Sequence, residues 1–218
     1  GLNALQNAIN EAKEKGIKNI YLENGIHKIK VEQHGTLCRG IKMNSVWVNF
    51  SLTIIGASRT GCIVIGGFNI TVLENKAVVI IKTMTIRESI SAGVMIAGND
   101  VSSLHLENLF IDQCIVGVSV VDIGENTMEN CEITNSEGRG VHVRTGKLTI
   151  TGRFNLIRNN CQNRKIKNRF GLEARSGSHI EIQSPTKNIL ELMCTNNGGA
   201  GNYGGGGKIE QVFCIGKE

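Results

Sequence analysis

Residues 104–134 read LHLENLFIDQCIVGVSVVDIGENTMENCEIT, and two short patterns recur within and around that stretch. Leu106 to Ile111 (LENLFI) and Met128 to Ile133 (MENCEI) share the order apolar, x, x, apolar, x, Ile; Ile81 to Ile86 (IKTMTI) has the same order, and Thr151 to Leu156 (TGRFNL) is a degraded fourth copy. Their central residues, Met84, Leu109, Cys131 and Phe154, stand 25, 22 and 23 positions apart. A second pattern opens on glycine at Gly93 (GVMI), Gly117 (GVSV), Gly140 (GVHV) and Gly171 (GLEA), with steps of 24, 23 and 31. Patterns that advance together by about 23 residues place each strand over its predecessor, at the ~4.8 Å spacing of paired strands. Alternation inside a rung, as at Val118 and Val120, sends one set of side chains into a core and the other outward.

The architecture this implies is all-β: a single-stranded, right-handed parallel β-helix of about eight coils, on the order of 35 to 40 Å long. Such a rod exposes an unpaired edge at each end, and bare edges invite aggregation. Leu2, Leu5, Ala8, Ile9 and Ala12 follow helical spacing up to Gly16, which predicts an amphipathic capping helix over 2–15. Coils then occupy 17–195, a glycine-rich loop 196–207 (NNGGAGNYGGGG) and a terminal strand 208–218, all in one domain. The 31-residue step coincides with Cys161 to Asn168 (CQNRKIKN), which reads as a loop bulging from one coil.

One Pro against 27 Gly among 218 residues indicates turns built on positive φ rather than on rigid kinks. No apolar run approaches the ~20 residues of a membrane span, and no basic-then-apolar leader opens the chain; the expectation is a soluble protein. Seven cysteines without a C-x-x-C pair argue against zinc and favour a reducing, intracellular setting, where buried thiols act as small hydrophobes. His105, His142 and His179 share no register, so neither a metal nor a cofactor is expected.

The opening segments LQNAINEA, IKNIYLENGIHKI, SLTIIGAS and CIVIGGFNI resemble the entry of pectin-lyase-like β-helix proteins. LENLFID, MENCEIT, GVSV, GVHV and NNGGAGNYGGGGKIEQV are more narrowly similar to β-helix repeat proteins encoded by large DNA viruses of algae and protists. The resemblance implies a virion component, a minor capsid or surface protein assembled in the host cytoplasm, with other virion or surface proteins as partners.

Carbohydrate-active enzymes are the alternative that this resemblance implies. Hydrolysis of a glycoside requires two carboxyl groups at a set separation, and the chain has only Asp100, Asp112 and Asp122 as aspartates. Polygalacturonase-like members carry Asn-Thr-Asp, Gly-Asp-Asp, Gly-His-Gly and Arg-Ile-Lys. Here Asn126-Thr127 is followed by Met128, His142 lies within GVHV, and only Lys165-Ile166-Lys167 answers the last motif. Pectate-lyase-like members use a carboxylate cluster for calcium and an Arg as base, for which Glu107, Glu129 and Arg153 are the candidates; with Lys82 in the same register they read instead as a solvated charge row. Asn108 and Asn130 read as rungs of an asparagine ladder. No catalytic residue is therefore assigned.

The charge is uneven. Between Gly152 and Lys187 there are eight cations against Glu173 and Glu181, a surplus larger than the net charge of +5. Arg164, Lys165 and Lys167 in the bulging loop, with Arg169 next to it, are the candidate binding residues for an anionic polysaccharide or acidic partner, the third reading being a polysaccharide-binding module. Aromatic residues make up 4% of the chain, with Phe154 and Phe170 at apolar register, so nucleic acid is not the expected ligand.

Overall fold

The computed structural model describes residues 3–34, 41–71, 76–98, 102–162 and 167–214. Parallel pairing builds three faces around one core. The first face stacks Asn19–Leu22, Leu52–Gly56, 78–82, 103–107, 125–129, 147–151, His179–Ser184 and Lys208–Phe213. The second stacks Gly25–Lys28, Cys62–Ile65, 84–87, 109–112, Glu132–Thr134, Leu156–Arg158 and Cys194–Thr195. The third stacks Ser45–Val48, Gly67–Ile70, Ala92–Ala97, 116–121, 141–145, Phe170–Ala174 and Gly201–Gly204.

The chain makes about six turns, fewer than the eight that its length and period suggest. The reason lies in the unequal coils. From Ile20 the inward stack of the first face runs through Ile54, Ile81, Leu106, Met128, Ile150 and Ile182, and only the middle steps are 22 to 25 residues. The step from Ile20 to Ile54 includes the antiparallel pair Glu32–His34 with Ile41–Met43, and that from Ile150 to Ile182 has eleven residues, 159–169, between the rungs Leu156–Arg158 and Phe170–Ala174. A five-residue helix, Ile189–Met193, lengthens the next coil.

Inward columns follow the period closely. Val64, Ile86, Ile111, Ile133, Ile157 and Cys194 lie directly over one another and are all fully buried. Cys62, Cys114, Cys131 and Cys161 are buried too, in keeping with their reading as small hydrophobes. The glycines that open the second pattern stack as expected, and the cause is space. A Cβ on Gly117 would fall 2.4 Å from the Gly140 carbonyl oxygen and 2.3 Å from Ile133 Cγ2.

Single residues at positive φ turn the chain between faces: Thr83, Asn108 and Asn130 from first to second, and Glu88, Gln113, Asn135, Asn159 and Asn196 from second to third. Asn is favoured there because its short polar side chain tolerates the left-handed region. The buried amide ladder lies at the second of these turns, not at Asn108 and Asn130. Ser136 N–H donates to Asn160 Oδ1 (2.9 Å), Asn160 N–H to Asn197 Oδ1 (2.9 Å), and Asn197 Nδ2 to the Ile157 carbonyl (2.8 Å). Asn130 instead accepts the Phe154 N–H at its Oδ1 (3.3 Å).

The fourth copy of the first pattern is displaced by one residue. Ile133 pairs with Ile157 rather than with Leu156, so Asn155 takes the inward place beside Cys131 and Phe154 is 72% exposed. The turn between Thr151 and Leu156 holds four residues where that between Glu129 and Glu132 holds two, and Gly152, at φ +87°, opens it.

The capping helix spans Ala4–Lys15, burying Leu5, Ile9 and Ala12 and ending at Gly16 in the left-handed region. It also covers polar groups of the first rung: Gln6 accepts the Trp47 N–H (2.7 Å) and donates to the Trp47 carbonyl (3.2 Å), so one amide side chain replaces a missing strand neighbour. At the other end, the glycine-rich segment is no plain loop, since Gly201–Gly204 is a rung of the third face. The terminal strand is Lys208–Phe213. No helix among the described residues is long and apolar enough to cross a membrane.

Candidate functional site

Outward side chains stand in columns, each position repeating from one coil to the next. On the first face Lys82, Glu107, Glu129 and Thr151 form one column. Lys82 Nζ lies 3.8 Å from a Glu107 carboxylate oxygen, and both glutamates are exposed. Arg153 is exposed in the turn that follows Thr151, and among the described residues it makes no ion pair with Glu107 or Glu129. The three candidates for calcium and base are thus neighbours on an open surface rather than the lining of a cleft.

Of the basic candidates, Lys167 is exposed in a turn and Arg169 is half-buried, while Arg164 and Lys165 lie outside the described residues. Arg169 reaches back over the coil below: a Cβ on Gly138 would fall 2.9 Å from its Nη1. Next to it, on the third face, is a buried polar cluster. Arg139 Nε donates to Glu173 Oε2 (2.6 Å), the Phe170 N–H donates to the same oxygen (3.3 Å), and His142 Nε2 lies 3.6 Å from Glu173 Oε1. Burial would raise the Glu173 carboxyl, but the Arg139 guanidinium outweighs it and holds the carboxyl below its ordinary range. Burial, reinforced by Arg139, pushes His142 down to about 4, against the pull of Glu173. His142 and Glu173 occupy the same place in GVHV and GLEA and pair across adjacent coils. The 31-residue step between those motifs is the sequence signal that could have joined them.

On the second face Glu132 takes two guanidinium groups, Arg59 Nη2 at 3.2 Å and Arg158 Nη2 at 2.6 Å. Its carboxylate is only 18% exposed, so it is not the open surface residue that alternation alone suggests. Arg59 lies over the Phe110 ring, 5.8 Å from its centroid. Thr60, Thr85 and the Glu132 carboxylate complete a hollow of about 310 Å³. A guanidinium on an aromatic face suits a sugar ring, but the Glu132 carboxylate lines the same hollow and takes the Arg59 charge, and the Thr85 hydroxyl already donates to the Arg59 carbonyl (2.6 Å).

No protein-family model, curated protein or solved structure matches this chain.

At the last two rungs of the first face, His179 pairs with Lys208 and Glu181 with Glu210. His179 Nε2 lies 2.6 Å from Glu210 Oε1, Lys147 Nζ 2.7 Å from Glu181 Oε2, and Lys208 Nζ 2.6 Å from Glu210 Oε2. Hydrogen bonds from Lys147 and Lys208 hold the Glu181 and Glu210 carboxyls below their usual range. Sequence reading leaves His179 isolated because its acidic neighbour arrives 31 residues later.

Proposed function

We propose that the chain is a non-enzymatic structural or attachment protein: a rigid β-helical rod of the pectin-lyase-like kind, borne on the particle of a large DNA virus. The observation that supports a structural role is how the outward charges are used. Lys82 with Glu107, Arg59 and Arg158 with Glu132, Arg139 with Glu173 and Lys147 with Glu181 each join different coils, so ionic contacts brace the stack along its length. Individual exposed pairs contribute little, about 0 to 1 kcal/mol. Repeated from coil to coil they oppose shear of one rung over another. The placement on a virus particle, as a minor capsid or surface protein meeting other virion proteins, is supported by the likeness of LENLFID, MENCEIT and the glycine-rich tail to viral β-helix repeats.

The hollow at Arg59, Thr60, Thr85, Phe110 and Glu132 favours a second reading, a module that holds a polysaccharide without cleaving it. Two measurements test these readings. Incubation with acidic and neutral algal polysaccharides, with and without calcium, should give no new reducing ends or unsaturated products. Turnover that disappears in Glu107→Gln, Glu129→Gln or Arg153→Ala would replace the structural reading with an enzymatic one. Peptides of this chain should be recovered from purified virus particles of its source, and their absence there would remove the virion placement.

A further inference from the structure

We propose that His179, Glu181 and Glu210 form a binding site for a divalent transition-metal cation of the zinc class, which staples the last rung of the first face to the rung beneath it. The strand geometry assembles the ligands. His179 and Glu181 are two residues apart in His179–Ser184 and so point to the same side. Glu210 enters from Lys208–Phe213, directly over Glu181. One donor atom from each of the three residues lies within 4.8 Å of the other two. Zinc holds imidazole nitrogen and carboxylate oxygen at about 2.0 to 2.2 Å, and small side-chain rotations bring such a triangle to that range. The cluster is half-buried, which lowers the dielectric around a bound cation without closing the path to it.

His179 Nε2 supplies a separate argument. It is shielded from solvent and has no aligned hydrogen bond among the described residues, although Glu210 Oε1 is 2.6 Å away. An imidazole nitrogen and a carboxylate oxygen at that distance share either a proton or a cation. An imidazole with two carboxylates selects the zinc class over calcium or magnesium, which take oxygen ligands alone. Three protein ligands leave a fourth position for water. The surroundings orient the site: Gln183 Nε2 donates to Glu181 Oε1 (2.5 Å), leaving the Oε2 side to Lys147. The other clusters lack this composition, since Glu107 and Glu129 have no imidazole and His142 with Glu173 has the Arg139 guanidinium as third member.

Lys147 and Lys208 compete with the metal for the carboxylates, and that competition gives the site a signature. Cobalt(II) and zinc(II) are titrated into the full chain, followed by the visible spectrum and by calorimetry. One cobalt per chain should bind with d–d bands and no thiolate charge-transfer band. His179→Ala and Glu210→Gln should each weaken binding at least ten-fold, whereas Lys208→Met should tighten it several-fold. Zinc should raise the melting temperature of the parent chain but not of His179→Ala. No cobalt binding to the parent chain, undiminished affinity in His179→Ala, or a thiolate band reporting cysteine coordination would each overturn the site. Should His179→Ala fail to fold, weakened or unchanged binding in Lys208→Met would do the same.

Discussion

Ile133 sits between Ile111 and Ile157 with no exposed surface, while its neighbour Glu132 points the other way. Ile133→Ala should therefore cost about 2 to 5 kcal/mol, the range for a large residue removed from a packed core. Glu132→Gln should cost on the order of 1 kcal/mol, because one shielded carboxylate holds two guanidinium groups. Urea midpoints rank the two variants, and the reverse order would mean that the register is displaced by one residue. Strand alternation in the sequence shows which way Glu132 points. It cannot show that Arg59, 73 residues earlier, lies down the same face. His142 carries a second residue-level consequence. Its imidazole is held at about 4 in the fold, below the ordinary value, so the unfolded chain binds a proton more readily between these limits. Stability is then fully present above about pH 6.5 and falls as the pH drops through that window, by about 2 kcal/mol between pH 7.5 and pH 5. His142→Gln should flatten that part of the stability profile, and an unchanged slope would show that His142 is not the titrating group.

The turns determine how the elements join, and here the equivalent positions Thr83, Asn108 and Asn130 differ in quality. All three have φ between 51° and 59°. A β-branched residue is poorly suited to that region, whereas Asn tolerates it. Thr83→Asn should raise stability by about 1 kcal/mol, read as a higher melting temperature, as relief of local backbone strain requires. A lower melting temperature would mean that the Thr83 side chain contributes more than its backbone loses. The strands on either side were legible because apolar residues recur every 22 to 25 positions through the middle coils, where each step carries one rung per face. Legibility fails where a coil gains residues. Two residues gained in the turn after Thr151 put Phe154 on the surface, and the pattern Thr151 to Leu156 still looks like its predecessors. The rung Gly201–Gly204 was hidden for a different reason: glycines carry no alternation, and the strand is defined only by pairing with Phe170–Ala174. The polar clusters were the least legible. Arg139 with Glu173, and His179 with Glu210, meet across a lengthened coil and across the glycine-rich segment, respectively.

Across the whole molecule the charge remains lopsided after the ion pairs are drawn. Arg158 is engaged by Glu132 and Glu173 by Arg139, but Arg153, Lys167, Arg175 and Lys187 are exposed in the last third of the rod. With Arg164, Lys165 and Arg169 they give the last third of the sequence its cationic surplus, in a chain whose net charge is +5. Loop residues carry no core duty and are free to meet a partner. Lys167 fits that description fully, and Arg169 only in part, since it reaches over Gly138. Attraction of this kind acts over a Debye length of roughly 8 Å at physiological salt and lengthens as salt is removed. Neutralising Arg164, Lys165, Lys167 and Arg169 together should leave the melting temperature almost unchanged while weakening retention on an anionic glycan such as heparin, most clearly at low salt. Unchanged retention would mean that the basic run is a solvated face. A large fall in melting temperature would show that the contact of Arg169 with the coil below stabilises the stack, and single neutralisation of Lys167 would then separate binding from folding.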